Sequence, residues 1–188
     1  MLCHKIDESV EMRLASRKHR DGLFSSVQEN LEYLGEWLTW ATIDCDEKAI
    51  EDFLDRVLKN FYTDEQIPLI IFENDKIIGT ISVYNIDQVN KNAEIGYWIA
   101  KDSQGKGIVT KCCSAVIDHC FGELDLNRIV IKCATENFKS QAIPERLGFT
   151  NEGISRQVAW LRDRFVGMIV YSILKEEWKV NKNPGGKL

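Results

Sequence analysis

The 188-residue sequence predicts a single α+β domain built on a mixed, mostly antiparallel sheet flanked by helices. Three observations predict it: apolar residues recur at helical spacing in the N-terminal third, β-rich runs with short polar links follow Pro68, and a strand–turn–helix–strand unit occupies the middle. Val10, Met12 and Leu14 alternate as a half-buried strand does. Phe24, Val27, Leu31, Leu34 and Leu38 then follow helical spacing. Ile50, Phe53, Leu54, Val57, Leu58 and Phe61 repeat at i, i+3, i+4, i+7, i+8 and i+11, which predicts a second amphipathic helix. Trp37 and Trp40 fall between these helices, as core or lid residues or as a wall facing a substrate.

Beyond Pro68, residues 68–73 and 76–86 read as strands joined by Asn74-Asp75, a two-residue hairpin turn. Residues 92–100 form a third strand after a polar link, which suggests an antiparallel meander. A glycine-containing turn leads to a helix over 107–121, a strand over 127–135 and a helix over 138–147 that ends at Gly148. Two β-runs, 149–161 and 165–175, close the domain. The unit from 92 to 135 requires two neighbouring parallel strands linked by a crossover. The domain is expected over 1–180, with 181–188 as a flexible tail because the segment is polar and contains Pro-Gly-Gly.

Composition narrows the function classes. A hydrophobic fraction of 44% and a charged fraction of 28% are those of a soluble globular chain rather than a disordered one. No apolar run approaches the roughly 20 residues that span a bilayer, and the N-terminus carries no secretory pattern. A cytoplasmic protein with no membrane partner is the expectation. A net charge of −5 and no basic stripe argue against nucleic acid. The cysteines at 3, 45, 112, 113, 120 and 133 lack C-x-x-C spacing, so no metal site is expected. They read as free thiols filling apolar space; Cys112, Cys113 and Cys120 are expected to be reduced, mostly buried and not catalytic.

The most informative segment is IGYWIAKDSQGKGIVTK, from Ile95 to Lys111. A strand feeds Gln104-Gly105-Lys106-Gly107, and a helix begins at once. The first turn of a helix offers unpaired N–H groups and partial positive charge, and glycines let the backbone curl around a phosphate. Lys106 adds a cation. Neither a Walker A loop nor a G-x-G-x-x-G dinucleotide turn is present.

The segment resembles motif A of the GNAT superfamily, Gln/Arg-x-x-Gly-x-Gly/Ala. Gln104 and Gly107 match, while Val109 stands at the last position. The resemblance continues through LNRIVIKCATENFKSQAIPERLGFTNEGISR, where Asn137-x-x-Ser140 and Leu147-Gly148-Phe149 fit the RimJ/RimL type of ribosomal-protein N-acetyltransferase. It is strong over about 68–176 and extends to the N-terminal helices only in arrangement.

That resemblance implies a GNAT fold with a splayed central strand pair, acetyl-CoA as co-substrate, and transfer of the acetyl group to a primary amine. The backbone around Trp98, Ile99 and Ala100 would hydrogen-bond the pantetheine arm. The turn Gln104, Gly105, Lys106, Gly107, Ile108, Val109, Thr110 would hold the pyrophosphate. Asn137 would contact pantetheine or, alternatively, cap the helix that follows it. Ser140 would give a proton to the departing CoA sulfur, or serve only as a further hydroxyl at that helix start. Many GNAT enzymes carry a tyrosine four residues before the glycine of L-G-F; here Pro144 stands there. Glu94, with the side-chain parity of Trp98, is the candidate base, with a strand carboxylate paired to a cation or facing solvent as the alternative. Carboxylates that RimL-like proteins carry near the C-terminus are replaced by Ala159 and Gly167. A terminal α-amine, with an ordinary pKa of about 7.7–8.0 against about 10.4 for lysine, needs less help from a base. The expected acceptor is thus a protein N-terminus, on a ribosomal or similar protein. A small amine, or a module that binds acyl-CoA without turnover, is the alternative. Proteins of this type are often homodimers. The histidines at 4, 19 and 119 are assigned no catalytic role, His119 being expected in a solvated or helix-dipole role.

Overall fold

The computed structural model describes residues 3–42 and 44–182. Its described residues form one eight-stranded sheet in the order β1-β2-β3-β4-β5-β6-β8-β7. The strands are β1 (Cys3–Lys5), β2 (Val10–Leu14), β3 (Gln66–Glu73), β4 (Lys76–Asp87), β5 (Asn92–Ile99), β6 (Arg128–Ala134), β7 (Thr150–Leu161) and β8 (Arg164–Leu174). The helices are α1 (Arg20–Glu29), α2 (Leu31–Leu34), α3 (Glu47–Tyr62), α4 (Ile108–Gly122), α5 (Phe138–Arg146) and α6 (Lys175–Lys182). Every neighbouring pair is antiparallel except β5–β6, the parallel pair that the strand–turn–helix–strand unit demanded.

Strand alternation divides the core. Leu69 and Ile71 face α4, whose Val109, Cys112, Cys113, Val116, Ile117 and Cys120 are buried against them. Ile70 and Phe72, the intervening residues, face Leu23 and Val27 of α1 and Ile50, Leu54 and Val57 of α3. Asp46 starts α3 by accepting a hydrogen bond from the Ala49 amide at 2.8 Å. Asn74 and Asp75 take φ of 50° and 63°, as a tight β3–β4 turn requires.

Three elements differ from expectation. The helix expected through Leu38 breaks at Asn30, whose side-chain amide donates to the Ser26 carbonyl while its oxygen accepts from the Lys101 amide. That side chain ties the break to the end of β5. A three-residue edge strand, β1, precedes the expected first strand. The chain also turns into α6 after β8, where Trp178 is buried and donates to Asp118 of α4 at 2.8 Å. The first two residues of the expected tail close α6, and 183–188 lie outside the described residues. No helix among the described residues is long and apolar enough to cross a membrane.

Candidate active site

The parallel pair is short. β5 and β6 are in register only at Asn92↔Arg128, Ala93↔Ile129 and Glu94↔Val130. Both strands continue beyond that point, β5 held by β4 as far as Ile99 and β6 held by β8 as far as Ala134. A gap therefore opens toward their carboxyl ends, where open α/β sheets take ligands. The Ala100 amide is engaged by the Ile78 carbonyl at 2.7 Å. By antiparallel alternation the Trp98 backbone also faces β4, leaving Tyr97 and Ile99 to present N–H and C=O groups to the gap. Of the three residues expected there, only Ile99 meets the geometry; Trp98 and Ala100 do not, and Tyr97 joins it. The sequence expectation followed the end of the strand and not its two-residue alternation.

At the mouth of the gap, Gly105 and Gly107 have φ of +74° and +73°, and a Cβ built on either would meet nothing within 4 Å. The turn is thus open on the side where a ligand's phosphates would lie. Gly107 precedes α4, and the first intrahelical bond there is from Lys111 to the Gly107 carbonyl. The N–H groups of Ile108, Val109 and Thr110 point out of the helix start, while the side chains of Ile108 and Val109 are buried beneath it. Lys106 is paired with Glu73 at 3.1 Å. Gln104 accepts from Lys139 of α5 at 2.9 Å, which links the turn to the other wall and adds a cation that sequence reasoning missed.

On that other wall, Asn137 caps α5, its side-chain oxygen accepting from the Ser140 amide at 3.0 Å. Pro144 lies inside α5 and has no N–H for the Ser140 carbonyl four residues earlier. The Tyr97 hydroxyl donates to that carbonyl instead, at 3.1 Å. The Ser140 hydroxyl lies 3.4 Å from the same phenol and 3.2 Å from Cys133 Sγ. A residue from β5, one from β6 and one from α5 thus meet across the gap. Burial pushes the Tyr97 phenol well above its ordinary pKa, so it is a neutral donor.

Glu94 sits where the pairing ends. Its carboxylate accepts from Lys132 Nζ of β6 at 2.9 Å and from Asn85 of β4 at 3.2 Å. It is a cation-paired strap across three strands, the alternative the sequence had left open. On the face of α1 and α3 lies a cavity of about 800 Å³ along β4 and β5, with Trp40, Phe53, Tyr84 and Trp98 in its lining. Trp40 is 44% exposed and its ring lies 6.3 Å from that of Trp98, so it is a cavity wall and not core. A second cleft of about 690 Å³, which Trp37, Lys101 and Asn137 help to line, opens at the ends of the gap. The α4 thiols are buried and held protonated: burial raises Cys112 and Cys120 to about 12, and Cys113, which neighbours Tyr97 and Cys133, well above its ordinary value. His119 is buried, not solvated, with Nδ1 3.1 Å from Glu123.

A sheet parted between two parallel strands, with a glycine turn and a helix start at the parting, is the architecture of the GNAT acyltransferases. Residues 9–150 match the acetyltransferase (GNAT) domain, and the chain belongs to that family. It is an acetyl-CoA-dependent N-acetyltransferase. More particularly, it is 32% identical over 171 residues to the ribosomal-protein-serine acetyltransferase of Escherichia coli, covering 89% of this chain and 94% of that protein. YdaF of Bacillus subtilis is 37% identical over 183 residues, or 97% of this chain and 100% of YdaF. Among solved structures, RimL, a ribosomal α-N-protein acetyltransferase in complex with coenzyme A, matches with a TM-score of 0.88 at 26% identity, over 93% of this chain and 99% of that one.

Proposed function

We propose that this enzyme acetylates the N-terminal α-amine of a ribosomal protein in the cytoplasm. The observation that carries the reading is the near full-length match to an enzyme named for a ribosomal-protein serine, which aligns with 89% of the chain and not with the donor motif alone. Two separate cavities, one lined by the start of α5 and one along β4 and β5, are consistent with distinct places for a donor and an acceptor.

In this reading the pantetheine arm adds to β5 as a short strand, through the backbone of Tyr97 and Ile99. The N–H groups from Gly105 to Thr110 receive the pyrophosphate. Lys106 and Lys139 lie close enough to add charge once their partners yield. Asn137 acts through the helix that it caps and not by direct contact. The neutral amine attacks the thioester carbon, the C–N bond forms, and the C–S bond breaks with its electron pair on sulfur. Ser140 gives its hydroxyl proton to that thiolate and is reprotonated by water or by a neighbouring hydrogen-bonding group. The proton lost from the amine nitrogen passes to water. Glu94, already engaged by Lys132 and Asn85, holds the base of the gap and is not the proton acceptor.

The test is CoA release with peptides beginning in Ser or Ala, set beside spermidine and an aminoglycoside. A Ser-starting peptide is expected to give the highest kcat/KM, with the added acetyl group on the α-nitrogen by mass spectrometry. Turnover confined to the small amines would overturn the ribosomal reading.

A further inference from the structure

We propose that the Tyr84 hydroxyl receives the acceptor amine, holding its nitrogen at the gap for attack on the thioester. The inference rests on the acetyl-transfer reading above and adds an acceptor-binding residue to it. Three independent features place Tyr84 there.

The first is a bulge. The β4–β5 register runs from Tyr84↔Glu94 directly to Asp87↔Asn92, and Asn85 between them takes a φ of 53°. A bulge bends its strand and re-aims the adjacent side chain. The second is Gly96. A Cβ at that position would lie 2.9 Å from Tyr84 Cε1 and 3.5 Å from Tyr84 Oη, so the phenol ring occupies the place of a side chain on β5. It thereby lies over β5, the strand that borders the gap. The third is the cavity, whose lining includes Tyr84 together with Gly96, Tyr97 and Trp98. The phenol stands where this cavity, which we assign to the acceptor, passes over β5.

The chemistry of a phenol fits the task. An amine attacks with its lone pair directed at the carbonyl carbon, so its N–H bonds need a hydrogen-bond acceptor on the other side. A phenol oxygen can accept one of them. Burial first, and then the nearby Glu94 and Cys133, hold the Tyr84 hydroxyl at about 12, so it carries no charge at neutral pH. A carboxylate in that place would favour the ammonium, which cannot attack; a neutral phenol does not. Ala159 and Gly167 carry no carboxylate, Glu94 is paired with Lys132, and the carboxylates that line the cavity, Asp52 and Glu65, stand on or beside α3 rather than over Gly96.

Tyr84→Phe keeps the ring over Gly96 and removes only the hydroxyl. The expected result is a fall of about 3- to 10-fold in kcat/KM for a Ser-starting peptide, the scale of one neutral hydrogen bond. The acetyl-CoA Kd by calorimetry should not change. Gly96→Ala pushes the ring aside, so it should reduce kcat/KM in the parent enzyme and add little in the Tyr84→Phe background. A purely structural ring would instead make the two substitutions additive and leave Tyr84→Phe fully active. Full activity of Tyr84→Phe on a peptide that the parent enzyme turns over would overturn this inference alone. Where the parent turns over spermidine and no peptide, the ribosomal reading falls and Tyr84 is judged on spermidine. Turnover of neither overturns both.

Discussion

Pro144 removes the N–H that would close a helical bond to the Ser140 carbonyl, and Tyr97 supplies the donor from β5. Tyr97→Phe should therefore leave a half-buried carbonyl without its protein partner, at a cost of about 1 kcal/mol. In a Pro144→Ala background the alanine amide takes over the bond, and the same substitution should cost much less. Denaturant unfolding of the four proteins measures the coupling; additivity within about 0.5 kcal/mol would show that the two residues act independently. The sequence displayed both residues but not their connection, because Pro144 is four residues from the Ser140 carbonyl on the same helix while Tyr97 stands on another element 43 residues away. Pro144 was legible only as a missing tyrosine. The Asn137 cap was legible as one of two readings, since Asn before a helix has a local signature. Glu94 was legible as a strand carboxylate, but its partners on β4 and β6 follow from sheet order, which no local pattern encodes.

At the scale of elements, the strand, glycine turn and helix start expected around residues 92–121 are where sequence and fold agree most closely. Gly107→Val should act in two separable ways. A β-branched residue at a φ of +73° is strained by about 1–2 kcal/mol, which lowers the unfolding midpoint. Its side chain would also fill the open space over the turn, so the acetyl-CoA Kd should rise by about tenfold or more, beyond the effect of strain. Calorimetry that gave the parent Kd would exclude the turn as the phosphate site. Helices with a repeating apolar face and strands with alternation were all readable. What escaped lacked periodicity: β1 has three exposed residues, and α6 buries Trp178 but exposes its other apolar residue, Val180. The α1–α2 break escaped because its cause, Asn30 bonded to the end of β5, is a tertiary contact within an unbroken apolar repeat.

For the molecule as a whole, three carboxylates are held at about 2 by cations on other elements. Asp7 is held by Lys111, Asp125 by Lys175 and Lys91, and Glu152 by Arg128 with help from Ser172. Each lies below the ordinary value of about 4, so its contribution is complete above that pH and is lost as pH falls toward 2. The unfolding midpoint is expected to drop across that window. Glu152→Gln should make the drop shallower; an unchanged slope would mean that the Arg128 pair adds nothing to acid stability. Glu152 lies in the half of the sheet beyond the gap, which is itself a consequence of how the chain is laid out. Five strands up to residue 99 form one antiparallel leaf and three from residue 128 form another, and three parallel rungs join them. Such a sheet behaves as a hinged binding with a fixed margin. Glu94 and Lys132 stitch the spine, and Tyr97 with Ser140 sets how far the covers stand apart. A guest backbone laid between them would complete the row of missing rungs, so the donor is also the piece that turns two leaves into one sheet.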